Sequence, residues 1–195
     1  AQRAPAQPAA QLIQPTLEMA QTWSKDRLAP MLRDSPALHG MVKDPRAKKS
    51  ANTLLHKTFP GGHITMAGSN SPASLASRPV RCVLFDEVDR YPPSAGAEGD
   101  PVNLGRKRST TFWNRCVFLT STPTVKGVSR IEHEFDQSDQ RYYFVPCPHC
   151  SHAQRLKWSN VQWHKDDKGE ALPDTAGYVC DQCGALWSDV QRQVA

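Results

Sequence analysis

Two sets of residues have types and spacing that could do chemistry. The first is Asp86-Glu87, which follows the unbroken apolar run Cys82-Val83-Leu84-Phe85. Such a run suits a strand buried on both faces of a parallel sheet. Open α/β sheets bind their ligands at the carboxyl ends of the strands. Two carboxylates at that place suit nucleotide hydrolysis. Asp86 would hold Mg²⁺ directly or through water, and Glu87 would polarise the water that attacks the terminal phosphate. The same residues also fit a plain core strand followed by a solvated acidic turn. The second set is Cys147-Pro148-His149-Cys150 with Cys180-Asp181-Gln182-Cys183. Thiolates at i and i+3 of a tight turn can reach one ion, and four of them complete a closed, structural zinc site. The 29 residues between the pairs suit a zinc ribbon with an extended hairpin between its knuckles. Gly184, directly after the second pair, permits the positive φ that a knuckle needs. A redox dithiol is the alternative. Trp158, Trp163 and Trp187 are expected to supply the small core beside the metal.

The elements that must position these groups follow from periodicity and punctuation. Cys116-Val117-Phe118-Leu119 reads as a second buried strand, ending in Thr120-Ser121-Thr122-Pro123-Thr124. If the two strands are neighbours, these hydroxyls sit beside Asp86-Glu87, where they could sense the γ-phosphate or the attacking water. Otherwise they only cap a strand. Cys82 and Cys116 are expected as buried thiols. Residues 1–14, rich in Ala, Gln and Pro, carry no period and read as a disordered lead-in. Thr16 caps an amphipathic helix with Glu18 in its first turn. That helix runs to about Ala29, is kinked or ended by Pro30, and gives way to a break at Ser35-Pro36.

Met41 to Asn52 is a basic loop, either solvated or in contact with a phosphate backbone. Thr53–Phe59 and His63–Ala67 form a hairpin about Pro60-Gly61-Gly62, in which His56 and His63 are ordinary histidines. Gly68 to Pro72 is a loop of small residues, and Ala73–Ser77 a helical turn. Asp100 caps a helix over 101–111 that carries Arg106, Lys107 and Arg108. Ser129 caps another to Phe135, with Arg130 set against the helix dipole as a phosphate or subunit contact. Gln140–Val145 is a strand leading into the first cysteine pair.

Composition narrows the class. The chain's 195 residues leave room for one medium domain and a small appendage. Apolar content of 38%, 22% charged residues, sixteen prolines and a mean hydropathy of −0.58 point to a modest core and many loops. A net charge of +5 and pI near 9.0 favour an acidic partner such as nucleic acid. No apolar run approaches the roughly 20 residues of a membrane span, and the start lacks a signal-peptide pattern. Paired cysteines in such a chain read as metal ligands in a reducing, cytosolic compartment.

Together the motifs resemble the large subunit of tailed-phage DNA-packaging terminase, the GpA family. The resemblance covers Pro15 to about Gln193 and rests on stretches in order: Gln14-Pro15-Thr16-Leu17-Glu18, Lys57-Thr58-Phe59-Pro60-Gly61-Gly62 and Gly68-Ser69-Asn70-Ser71-Pro72. Asp86-Glu87-Val88-Asp89-Arg90-Tyr91-Pro92, Glu98-Gly99-Asp100-Pro101, Ser121-Thr122-Pro123-Thr124 and Val145-Pro146-Cys147-Pro148-His149-Cys150 complete the set. It implies a P-loop ATPase that drives viral DNA into a preformed capsid, and a separate nuclease domain that cuts concatemeric DNA. On this resemblance Asp86 matches the Mg²⁺-binding acid of the Walker B strand and Glu87 the catalytic glutamate. Ser121 and Thr122 match the motif that couples hydrolysis to DNA movement. The implied cofactors are ATP with Mg²⁺, beside structural Zn²⁺. The implied partners are double-stranded DNA, the small terminase subunit and the capsid portal, in a homo-oligomer in the host cytoplasm.

The family's phosphate loop should precede Pro15, but no GxxxxGK[ST] occurs in this sequence, and the nuclease domain should follow the cysteines. The expectation is therefore an internal fragment: an α/β, mostly parallel, incomplete P-loop NTPase. It has a lead-in over 1–14, a partial ATPase domain over 15–145 and a small zinc-ribbon-like β subdomain over 146–195. The chain alone is expected to show weak or absent ATP hydrolysis. A zinc-ribbon nucleic-acid-binding module without catalysis is the alternative. A helicase-like or transposase-related ATPase is a third class, disfavoured by the cysteine pairs after the second strand.

Overall fold

The computed structural model describes residues 9–43 and 51–194, the last three by backbone only. The chain divides into two compact units, one up to Gln137 and one from Ser138 onward. In the first unit, β1 (Ala9–Gln14) is a strand, which corrects the reading of these residues as a disordered lead-in. Two glutamines break its apolar pattern, yet Gln11 and Gln14 are both buried. Each spends its side-chain amide inside the fold, Gln11 on the Ser74 carbonyl and Gln14 on Asp86. Residues 1–8 lie outside the described part, as do Arg46, Lys48 and Lys49 of the basic loop.

A long helix follows in three parts: α1 (Leu17–Trp23), a π-helical stretch (Ser24–Leu28) and α2 (Ala29–Asp34). Thr16 caps it, its hydroxyl accepting from Met19 N at 3.2 Å. Pro30 does not end the helix. Its ring would clash with the carbonyl four residues back. The chain widens ahead of it, with Ala29 N–H donating to Ser24 O. Next come β2 (His56–Phe59) and β3 (Gly62–Gly68), the expected hairpin, with Thr58 opposite His63. The short helix α3 (Pro72–Ala76) leads to β4 (Cys82–Phe85). Helix α4 (Pro101–Arg108), capped by Asp100, leads to β5 (Cys116–Leu119). Helix α5 (Arg130–Asp136) is capped by Ser129.

The strands form one sheet in the order β2-β3-β1-β4-β5, with β3, β1, β4 and β5 parallel and β2 antiparallel. Apolar residues cover both faces. Ile13, Val83 and Phe85 pack with Val88, Tyr91, Ala95 and Val102 on one side. Leu12 and Met66 pack with Ala20 and Leu28 of the long helix on the other. Gly105 lets α4 lie close: a Cβ there would stand 2.6 Å from the Phe85 ring. The expectation that β5 is buried is corrected. It is the outermost strand, Phe118 is 56% exposed, and Cys116 is an exposed thiol rather than a buried one. Cys82 is half-buried.

The second unit has a two-stranded ladder of β6 (Val145–Pro146) and β7 (Ala153–Gln154). It also has a three-stranded sheet of β8 (Val161–Gln162), β9 (Gly177–Val179) and β10 (Leu186–Trp187), in the order β10-β9-β8. A last helix, α6 (Asp189–Val194), ends the described chain. Residues 140–144 are not strand, so the expected strand shrinks to Val145–Pro146. The tryptophan core is also corrected. Trp187 is buried against Tyr178, ring centroids 5.0 Å apart, but Trp158 is 78% exposed and Trp163 also faces solvent. No helix among the described residues is long and apolar enough to cross a membrane.

Candidate active site and cysteine centre

Strand register builds the acidic site. Phe85 pairs with Ile13 on one side and with Leu119 on the other. The residues that follow, Asp86, Gln14 and Thr120, therefore emerge side by side at the carboxyl edge. Gln14 Nε2 donates to one Asp86 oxygen at 2.9 Å, and Thr120 Oγ1 donates to the other at 2.6 Å. Both carboxylate oxygens are thus fixed, and each keeps a lone pair for a ligand. These are hard oxygen donors of the kind Mg²⁺ takes, directly or through water.

Glu87 has a left-handed backbone, φ 57° and ψ 45°. For a non-glycine residue this conformation is uncommon and costs free energy, and such residues gather at functional sites. The kink turns Glu87 off the strand direction, and Arg90 Nε pairs with its carboxylate at 3.1 Å. The kink is held from below. Tyr91, buried, donates its hydroxyl to Ile13 O at 2.6 Å. Burial pushes the Tyr91 phenol well above its usual range, so it stays a donor.

The hydroxyl loop is fastened to the same turn, chiefly by Asp89. One Asp89 oxygen accepts from Thr124 N and Thr124 Oγ1, each at 2.9 Å, and the other accepts from Ile131 N at 2.8 Å. The backbone N–H of Asp89 donates to Ser121 Oγ at 3.2 Å. Burial works against the Asp89 charge, but the donors from Ile131, Ser129 and Thr124 outweigh it and hold its carboxyl below the usual value. Of the two hydroxyls singled out in the sequence, Ser121 is thus engaged by the acidic turn, whereas Thr122 is exposed. The hydroxyl that touches Asp86 is Thr120. Gln14 and Asp89 escaped the sequence reading, whereas Thr120 and Thr124 were expected beside the acids only as members of the hydroxyl run, without their particular bonds to Asp86 and Asp89. The Thr120 bond was accessible to that reading: each apolar run ends one residue before its polar tip, so in-register pairing sets Thr120 beside Asp86. Arg130 is answered within the chain, paired with Asp100, and Arg106 pairs with Glu134 at 2.5 Å.

In the second unit the four cysteine sulfurs converge, all within 4.8 Å of one another. Cys147 lies 3.8 Å from Cys183, and Cys150 lies 3.8 Å from Cys180. A tetrahedron with Zn–S bonds of about 2.3 Å has edges of about 3.8 Å, so the donor set fits zinc. A disulfide, at about 2.05 Å, does not fit. Each knuckle ends in a left-handed residue, Ser151 at φ 60° and Gly184 at φ 70°. Backbone N–H groups of His149, Gln182 and Cys183 point at the sulfurs. Gln154, buried, donates to Cys180 Sγ at 3.3 Å and accepts from Asp181 N at 3.0 Å, joining the knuckles. Burial alone would raise the Cys180 thiol, but donors from Cys183, Gln182 and Gln154 bring it down to about 6. The His152 N–H favours a Cys150 thiolate, but burial and the neighbouring sulfurs push that thiol up to about 12. Four sulfurs this close cannot all ionise without a cation among them.

A mostly parallel α/β sheet with a fixed acid and a strained glutamate at its carboxyl edge has the layout of a ligand-binding α/β domain. The family model described as "Phage terminase large subunit gpA, ATPase domain" matches residues 2–195. The chain belongs to that family. It is 30% identical over 184 residues to the terminase large subunit of Enterobacteria phage P21, covering 90% of this chain and 28% of that protein. It is 29% identical over 176 residues to that of Escherichia phage lambda, covering 86% and 26%. The chain thus spans under a third of the length of these relatives. Among solved structures it resembles the large terminase of a thermophilic bacteriophage, with TM-score 0.43, 18% identity and coverage of 60% and 27%. It also resembles the large terminase ATPase domain of Thermus phage P74-26, with TM-score 0.46, 14% identity and coverage of 77% and 61%.

Proposed function

We propose that this chain is the hydrolysing and coupling part of a phage DNA-packaging motor, joined to a cysteine-bound zinc unit. Family membership supports the ATPase class and the role in packaging. The observation that carries the reading is Asp86, clamped between Gln14 and Thr120 at the shared edge of three parallel strands. Beside it Glu87 is turned off the strand by its left-handed backbone.

In this reading Asp86 and Thr120 face the metal. Mg²⁺ with ATP would supply charge neutralisation for the departing phosphate. Glu87 takes a proton from the attacking water, with Arg90 fixing its position. Asp89 and Ser121 tie the Ser121-Thr122 loop to that glutamate's turn, so displacement at one reaches the other. Cys147, Cys150, Cys180 and Cys183 hold one structural Zn²⁺. Double-stranded DNA, the small terminase subunit and the portal are the partners of the whole protein. It works as a homo-oligomer in the host cytoplasm, with a nuclease domain elsewhere in the large subunit.

The sequence contains no GxxxxGK[ST], so this chain by itself should not turn over ATP. The test is steady-state Mg²⁺-ATPase of a large subunit that includes this segment and a phosphate loop. Glu87→Gln should cut turnover by at least about 10²-fold while nucleotide binding persists. Unchanged turnover in that variant, or robust hydrolysis by the isolated chain, would refute the assignment.

A further inference from the structure

A polar cavity of about 380 Å³ opens beside β3, with its histidines at the amino-terminal end of β1. Its wall includes His56, His63, Arg78, Gln11, Thr65 and Ser77. The register explains the gathering. Thr65 lies opposite both Gln11 of β1 and His56 of β2, and His63 lies opposite Ala9. Alternate residues share a face, so His63, Thr65, Gln11 and His56 share one. The two imidazoles stand 5.2 Å apart between centroids. Arg78 follows directly after α3, whose Ser74 carbonyl takes Gln11 Nε2. Gln11 is only 6% exposed, so a buried amide is fixed in the cavity wall. His63 sits at the Ala9 end of β1, about 13 Å along the strand from the level of Ile13 and Phe85 at about 3.3 Å per residue. The wall also reaches Ala67, level with Ile13, but the histidine end of the cavity lies away from the Asp86 edge.

The charges in the wall are of one sign. None of the described residues lining it is Asp or Glu. Burial, then the charge of His63, then that of Arg78, pushes the His56 imidazole below its usual value. A cation would be repelled here, and an anion would relieve the mutual repulsion. The donors are two imidazoles and a guanidinium on separate elements, the Thr65 and Ser77 hydroxyls being already given to the Ala10 and Ser74 carbonyls. That spread suits a tetrahedral oxyanion with several acceptor oxygens better than a planar carboxylate. A second basic cavity, lined by Arg106, Lys107 and Arg115, is a weaker candidate because Arg106 is spent on Glu134.

We propose that the His56–His63–Arg78 cavity is a phosphate-binding site, taking either a free phosphate or a backbone phosphate of nucleic acid. It does not depend on ATP hydrolysis, and its readout is histidine resonances rather than turnover, so its failure is distinguishable from failure at the Asp86 site. The experiment follows the His56 and His63 ring protons by NMR near pH 6 in the whole chain, titrated with inorganic phosphate, with a short DNA duplex, and with chloride at matched ionic strength. Both rings should shift, and the His56 titration midpoint should rise, with phosphate or duplex but not with chloride. Arg78→Gln, at an exposed position, should fold normally and weaken the response about tenfold. A response to duplex alone assigns the backbone source, and a response to inorganic phosphate alone assigns the free ion. Rings that respond to neither, or as strongly in Arg78→Gln, would overturn the site.

Discussion

Asp89→Ala removes the group that fastens the hydroxyl loop and α5 to the turn after β4. The donors from Thr124, Ile131 and Ser129 lose their acceptor. Thr124 is exposed, so water takes over its two bonds at little net cost. The Ile131 N–H is half-buried and sits in the first turn of α5. Its bond to a charged acceptor contributes roughly 1.5–3 kcal/mol. The carboxylate at a helix amino terminus adds about 0.3–1 kcal/mol. The loss should be about 2–4 kcal/mol, which in a domain of this size lowers Tm by about 4–16 °C.

The loop should loosen with it. Trypsin should then cut faster at Lys126, an exposed residue between Thr124 and Ser129. Acid should have the same effect on the parent chain. The Asp89 carboxyl is held below its ordinary value of 3.8 in the fold. Its contribution is therefore complete above that value and disappears as pH falls through the lower, folded one. The gap in stability between parent and variant should close in that acid window. Circular dichroism melts and timed proteolysis read both effects. A Tm within about 1 °C of the parent, with unchanged cleavage at Lys126, would refute the latch.

Tyr91→Phe should cost only about 1 kcal/mol, because Ile13 O still accepts from Asp86 N at 3.0 Å; a chemical-denaturation loss of several kcal/mol would show that the hydroxyl does more. Gly105→Ala should gain helix propensity of about 1 kcal/mol but force the fully buried Phe85 ring to move, at about 1–3 kcal/mol. A net loss is expected in thermal melts, and a raised Tm would contradict the close packing. Metal analysis should give one zinc per chain and none in Cys150→Ser. Chelation should red-shift Trp187 emission by opening the cluster of Val145, Cys147, Tyr178, Cys180 and Trp187, and unaltered emission would count against a structural ion.

Much of this was written locally in the chain. Thr16, Asp100 and Ser129 cap their helices as oxygen side chains ahead of helical runs do. The two apolar runs are adjacent parallel strands, and the CxxC pairs converge because knuckle geometry is itself local. What escaped was set by tertiary pairing. Gln11 and Gln14 disguised a central strand, since glutamine is buried only when a distant partner satisfies it. The Cys116 run looked fully buried because an outer strand can carry the same residues as an inner one. Asp89 received no role because its donors lie 35 and 42 residues away. Trp158 and Trp163 were assigned to a core that Tyr178 fills instead.

The widened turn before Pro30 does more than make room for a ring. Ala20, Ser24 and Leu28 are buried at every fourth position. In an uninterrupted α-helix each such step overshoots a full turn by about 40°, so the stripe would spiral away from a straight sheet. The slower winding from Ser24 to Leu28 turns the phase back. The long helix keeps Ala20 and Leu28 over the same row as Leu12 and Met66, and Ser24 reaches the Leu54 carbonyl at 2.6 Å. The proline and the winding error therefore correct one another. Losing one residue from this stretch would leave the helix intact in length but rotated out of step with the sheet beneath it.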